Sequence, residues 1–107
     1  VTSELSGDVM VVIVSGRVDS VTAATLDAKL GKIAHDNKKV VLDLKDVEYM
    51  SSAGIRAIVR AVRSEEKSKG VLKLASISKN VAEVLETVGM MDRMETYPSV
   101  DEALASF

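Results

Sequence analysis

VVLDLKDVEYMSSAGIRAIVRAVR, Val40 to Arg63, changes its hydrophobic period halfway along, and that change decides the fold. Val40 to Leu44 is a short, β-branched apolar run, too brief for an independent helix, and reads as a central strand. Lys45 to Met50 reads as a loop. Beyond it Ile55, Ile58, Val59 and Val62 recur at i, i+3, i+4 and i+7, the spacing of one buried helical face, with Arg56, Arg60 and Arg63 on the opposite side. A strand therefore enters a helix through a loop that ends in Ser51, Ser52 and Gly54. Ligand and partner sites of open α/β sheets favour that edge.

Working outward, the same alternation repeats. Val9 to Val14 is an apolar run bounded by Gly7-Asp8 and Ser15-Gly16 and predicts a buried strand, with residues 1–5 pairing to it through a Ser6-Gly7 turn. Gly16, Arg17 and Asp19 fall in the loop before a helix spanning Val21 to Ala34, whose apolar face is Leu26, Leu30, Ile33 and Ala34 and whose N-cap is Asp19 or Ser20. Val71 to Ile77 predicts another strand. Val81, Val84, Leu85 and Val88 predict a helix capped by Ser78 or Asn80 and closed by Gly89 at C′. A short strand over Met94 to Tyr97 precedes Pro98, and Ser99 and Glu102 have capping-box spacing ahead of Ala103, Leu104 and Phe107. The expectation is one α/β domain over residues 1–107. Its sheet has about four to five strands and is mostly parallel with an antiparallel N-terminal strand, and about four helices cover it.

Composition narrows the function classes. The chain has 107 residues, 47% hydrophobic and 28% charged, the balance of a globule that buries one core. With two tyrosines, one phenylalanine, no tryptophan and a net charge of −2, it lacks both the stacking platforms and the basic excess of a nucleic-acid binder. The absence of cysteine removes disulfides, zinc–thiolate sites and thiol catalysis and suits a reducing cytoplasm. No apolar run reaches the ~20 residues of a membrane span. His35, the only histidine, lies in an Ala-His-Asp-Asn-Lys-Lys stretch typical of a solvated helix end, so no base stands ready for nucleophilic catalysis. No glycine-rich phosphate loop is present, and no cofactor is expected. The one enzyme-like rival is a receiver-type magnesium or phosphoacceptor site built from Asp19, Asp43 and Asp46. It is weakened because Asp43 lies inside a strand pattern and Val9 to Val14 supplies no acid.

The serines carry the most information. A hydroxyl at a helix start accepts a bond from an unpaired backbone N–H, which is reason enough for Ser51 or Ser52 to be there. The same free N–H groups and the positive end of the helix dipole tolerate a phosphate, so spacing leaves capping and phosphorylation both open. Gly54 permits close approach of another backbone or tight packing on its own sheet. Ala53, Ala57 and Ala61 form a small-residue stripe suited to packing or to docking. Arg56 and Arg60, four apart, are either solvated or face an acidic partner. Met50, Met90 and Met91 suit core gaps or adaptable surfaces.

Taken together, Gly16-Arg17-Val18-Asp19, the VVLDL strand, Tyr49-Met50-Ser51-Ser52-Ala53-Gly54-Ile55-Arg56, and Leu85 with Val88-Gly89-Met90 resemble the anti-anti-sigma factors, or anti-sigma factor antagonists, built on the STAS domain. The resemblance covers nearly the whole chain. In that family the central motif often reads D-S-S-G or D-S-A-G, with the serine two residues before the glycine phosphorylated; that position is Ser52. Ser51 stands where the motif often has aspartate and becomes a second candidate acceptor. The resemblance implies a non-enzymatic bacterial, cytoplasmic, monomeric protein. Its unmodified form binds an anti-sigma factor that is also a serine kinase and so frees a sigma factor, until phosphorylation breaks the complex and a serine phosphatase restores it. The surface it implies comprises Arg17, Asp19, Ser51, Ser52, Ala53, Gly54, Arg56, Ala57 and Arg60. A STAS module of a stress-signalling scaffold, a larger sensor or an anion transporter is the alternative.

Overall fold

The computed structural model describes residues 1–87, 89 and 94–107. Val88, Met90 and Met91, and with them part of the last fragment of the resemblance, lie outside the described residues. Strands β1 (Thr2–Ser6), β2 (Val9–Val18), β3 (Lys39–Met50), β4 (Val71–Ala75) and β5 (Glu95–Tyr97) lie side by side in sequence order. Helices α1 (Ser20–Asp36), α2 (Ser52–Lys67) and α3 (Lys79–Thr87) make the crossovers, and α4 (Val100–Ala105) closes the chain. β1 is antiparallel to β2 through a turn at Gly7, whose φ of 62° favours glycine. All other neighbours are parallel, as crossover helices require.

Because every crossover steps to the next strand in the same direction, α1, α2 and α3 share one face of the sheet. There Val12, Val14, Val40, Leu42, Leu44 and Leu74 pack against Leu26, Leu30, Ile55, Ile58, Val62 and Leu85. The other face carries a smaller cluster of Val9, Val11, Val41 and Ala75 under Ala103 of α4. β2 and the first half of β3 are thus covered on both sides, which is why their sequences are continuous apolar runs instead of alternating ones. Helix α4 is held by Lys73 of β4, buried to 4% exposure. Its ammonium group donates to Ser106 Oγ at 2.6 Å, lies 3.7 Å from Glu95 Oε1, and sits 4.2 Å from the centre of the Phe107 ring.

Three boundaries differ from expectation. Lys45 to Met50 is not a loop: β3 runs on to Met50, paired with a longer β2 through Ser15↔Asp46, Gly16↔Val47, Arg17↔Tyr49 and Val18↔Met50. Only Val47 and Met50 of this extension are buried, so its composition is polar, and what makes it a strand is the neighbour that pairs with it. Gly16 and Arg17 accordingly lie within β2 and not in a loop. Gly16 takes φ 79° between two register shifts, where a bulge lets the strand continue. β4 stops at Ala75 because Ser76 turns to φ 58°, its N–H donating to Tyr97 O and its hydroxyl to Pro98 O.

The caps follow side-chain chemistry. Asp19, not Ser20, caps α1, and Ser78, not Asn80, caps α3, its hydroxyl accepting from Val81 N at 3.2 Å. Ser99 caps α4 through Glu102 N. His35 is exposed in the last turn of α1, where a cation suits the helix dipole.

Candidate functional site

The site is built where the β3 extension turns into α2. Ser51 is the N-cap: its extended backbone (φ −75°, ψ 168°) leaves Oγ accepting from Gly54 N at 3.4 Å, and its C=O accepts from Ile55 N. Its own N–H donates to Val18 O at 2.7 Å, tying the start of α2 to the end of β2. Ser51 is therefore half-buried and occupied, whereas Ser52, the first helical residue, is exposed. The two serines that spacing left equivalent have different tasks, capping for Ser51 and a free surface hydroxyl for Ser52.

The link to Val18 brings the start of α1 beside Ser51. Asp19 Oδ1 accepts from Val21 N and Thr22 N, each at 2.9 Å, and the Thr22 hydroxyl accepts from Asp19 N at 2.9 Å. This capping box uses threonine where glutamate or glutamine is usual. The backbone and side-chain bonds from Thr22, and after them the bond from Val21 N, hold the Asp19 carboxyl below the usual aspartate range. Arg17 lies with its guanidinium 4.8 Å from the centre of the Tyr49 ring, across the β2–β3 pairing.

Between α1 and α2 runs a groove lined by Ser20, Ala24, Asp27, Ala53, Arg56 and Arg60, with Ala53 half-buried. Arg60 is held by Asp27 at 3.0 Å, so one of the two arginines offered to an acidic partner already has one within the chain. Arg56 is exposed, its Nε 3.5 Å from Ser52 O. Gly54 and Ala57 do not reach the surface and serve the domain's own packing, as does Ala61 of the same stripe. Ser52 and Arg56 are the exposed residues of this stretch, with Ala53 half-buried between them and the core.

Gly54 has a specific reason to be glycine. A Cβ there would lie 2.7 Å from Met50 Cγ and 2.7 Å from Val18 Cγ1, closer than real contacts allow. Gly54→Ala is expected to destabilise the fold by about 1–3 kcal/mol through overpacking, despite the better helix propensity of alanine. Urea unfolding checks this, and an unchanged or raised midpoint would contradict it.

Asp19, Asp43 and Asp46 do not assemble a receiver-type centre. Asp19 caps α1, Asp43 is half-buried with Oδ1 accepting from Lys45 N, and no group of three acidic or histidine side chains converges among the described residues. Sequence reasoning missed two exposed apolar side chains at the rim: Val21, 77% exposed in the first turn of α1, and Tyr49, 46% exposed. Val21 stands off the helix's apolar spacing and could have been noticed; Tyr49 was hidden by reading its strand as a loop.

The profile of the STAS domain matches residues 1–103. Over 99 residues the chain is 30% identical to BtrV of Bordetella bronchiseptica, a candidate anti-sigma factor antagonist, spanning 92% of this chain and 85% of that protein. It is 31% identical over 79 residues to the anti-sigma-B factor antagonist of Bacillus subtilis, 74% of this chain and 72% of the relative. The crystal structure of an anti-sigma factor antagonist from Mycobacterium paratuberculosis superposes with a TM-score of 0.85 at 27% identity, over 98% of this chain and 90% of that one.

Proposed function

The chain belongs to the STAS domain family, and from that premise we propose that it is an anti-sigma factor antagonist, a regulatory binding protein whose docking onto an anti-sigma factor is gated by phosphorylation of Ser52. The observation that carries the reading is the contrast at the start of α2: Ser52 presents a free hydroxyl while Ser51, Gly54 and Ile55 on either side are fixed by capping and burial. A kinase reaches Ser52 without unfolding the helix. The γ-phosphoryl group of ATP passes to Oγ, the hydroxyl proton goes to the kinase's base, and ADP leaves.

The product brings about two negative charges to the positive end of α2, so the domain itself tolerates it. A docked partner does not. Desolvating a dianion without a new cation costs more than most contacts supply; Arg60 is already held by Asp27, and Arg56 stands one turn from Ser52. Unmodified protein therefore holds the anti-sigma kinase and frees a sigma factor, phosphorylation ends the complex, and a serine phosphatase resets it. Arg17, Asp19, Val21 and Tyr49 extend the docking surface on the side of α1 and β3.

The test is to form the complex of this chain with an anti-sigma factor kinase, add ATP, and weigh the bound and released fractions by intact mass. Release accompanied by one phosphate on this chain is expected. Release without phosphate, or phosphate without release, overturns the reading.

A further inference from the structure

β3 outruns β4. Pairing between them ends at Asp43↔Ala75, yet β3 continues to Met50, so on the β4 side the last part of this strand has no strand beside it among the described residues. Lys45 N–H is taken up by the Asp43 carboxylate at 3.0 Å, and from Asp46 to Met50 no strand pairs on the β4 side among the described residues. In a parallel sheet alternate residues aim their N–H and C=O groups at each neighbour, so half of those in this segment point away from β2.

That edge borders a cleft of ≈ 410 Å³ whose opposite wall is α3. Val47, Met50, Val81 and Val84 supply its apolar lining, and Glu48 and Glu83, both exposed, stand on its two sides. Among the described residues no lysine, arginine or histidine lines the cleft, and neither glutamate has an ion-pair partner.

We infer that the cleft between the β3 extension and α3 is a strand-addition site that takes an extended segment of a protein partner, alternating basic and apolar side chains. The open edge supplies main-chain hydrogen bonds, the valines receive every second side chain, and the two carboxylates pair with the lysines or arginines between them. An acidic segment meets Glu48 and Glu83 as like charges and is refused. The site neighbours the Ser52 surface, since Met50 directly precedes Ser51, but it involves no phosphate and stands whether or not Ser52 is a phosphoacceptor.

The experiment titrates the full chain, labelled for amide NMR, with an end-blocked hexapeptide alternating lysine and valine, and separately with its glutamate–valine counterpart. Neither kinase nor ATP is present, so the outcome is independent of partner switching. Shifts at Asp46 to Met50 and along α3, slowed hydrogen exchange at edge amides, and no such response to the acidic peptide are expected. In a Glu48→Lys/Glu83→Lys double variant the basic peptide should bind at least tenfold more weakly. No shift at millimolar peptide, shifts elsewhere, or equal response to both peptides overturns the inference. Shifts that depend on protein concentration without peptide also overturn it, by giving the edge to a second copy of this chain. The comparison of the two peptides on the unaltered chain stands even if the double variant does not fold.

Discussion

Ser52→Ala is expected to abolish phosphate incorporation by the anti-sigma kinase while leaving the affinity of the unmodified complex within about twofold. The Ser52 side chain is exposed and makes no hydrogen bond among the described residues, so removing Oγ costs the fold little. Ser52→Asp places a charge at the same helix end and should weaken binding at least tenfold, the equivalent of about 1.4 kcal/mol, although one carboxylate is a smaller and less charged group than a phosphate. Ser51→Ala is the control. It removes the bond to Gly54 N and should lower stability by about 1 kcal/mol without changing the phosphorylation stoichiometry. Isothermal titration and intact-mass measurement on the three variants separate the roles. Undiminished phosphorylation of Ser52→Ala would move the acceptor to Ser51.

Glu65→Gln is expected to make the protein more stable above neutral pH and to flatten its pH–stability profile. Glu65 is fully buried in α2, and among the described residues neither carboxylate oxygen has a hydrogen-bond partner. Its Oε2 lies against Gly70, where an added Cβ would be 2.6 Å from it and 2.7 Å from the Lys38 backbone oxygen, and the backbone contact explains glycine at that position. Burial pushes the carboxyl from 4.5 up to about 7. Below pH 4.5 the group is protonated both folded and unfolded, and it imposes no penalty. As pH rises towards 7 the unfolded chain releases the proton while the folded one keeps it, so stability falls by about 1.4 kcal/mol per pH unit. Above 7 the full cost, roughly 3 kcal/mol, is present. Denaturant titrations of wild type and Glu65→Gln at pH 5 and pH 8 should therefore diverge by about 2–3 kcal/mol between the two conditions. Parallel profiles would mean that the carboxyl is solvated or paired in solution.

Much of the architecture was legible because its signals are local. The apolar runs at Val9 to Val14, Val40 to Leu44 and Val71 to Ile77 read as strands, the last ending at Ala75, and the helical spacing of Ile55 to Val62 read as one buried face. Alternation of the two implies a parallel sheet. The motif around Ser51 to Gly54 likewise marked the junction of β3 with α2, the kind of strand end at which partner sites of open α/β sheets form.

What stayed hidden depended on neighbours distant in sequence. Lys45 to Met50 is polar enough to read as a loop and becomes a strand only because β2 pairs with it, while the open edge beside α3 exists only because Ser76 ends β4 early. Gly54 and Ala57 looked available to a partner until Val18, Met50 and the packing of α1 against α2 enclosed them. By itself, then, the sequence determined the elements, their order and the serine-bearing junction, because hydrophobic period and capping chemistry act over a few residues. Only the tertiary structure decided that Ser51 is the cap and Ser52 the free hydroxyl, that Arg60 is already paired, and that Glu65 is buried without a partner. Each of these is set by which atoms another segment of the chain brings within hydrogen-bonding reach or removes from water.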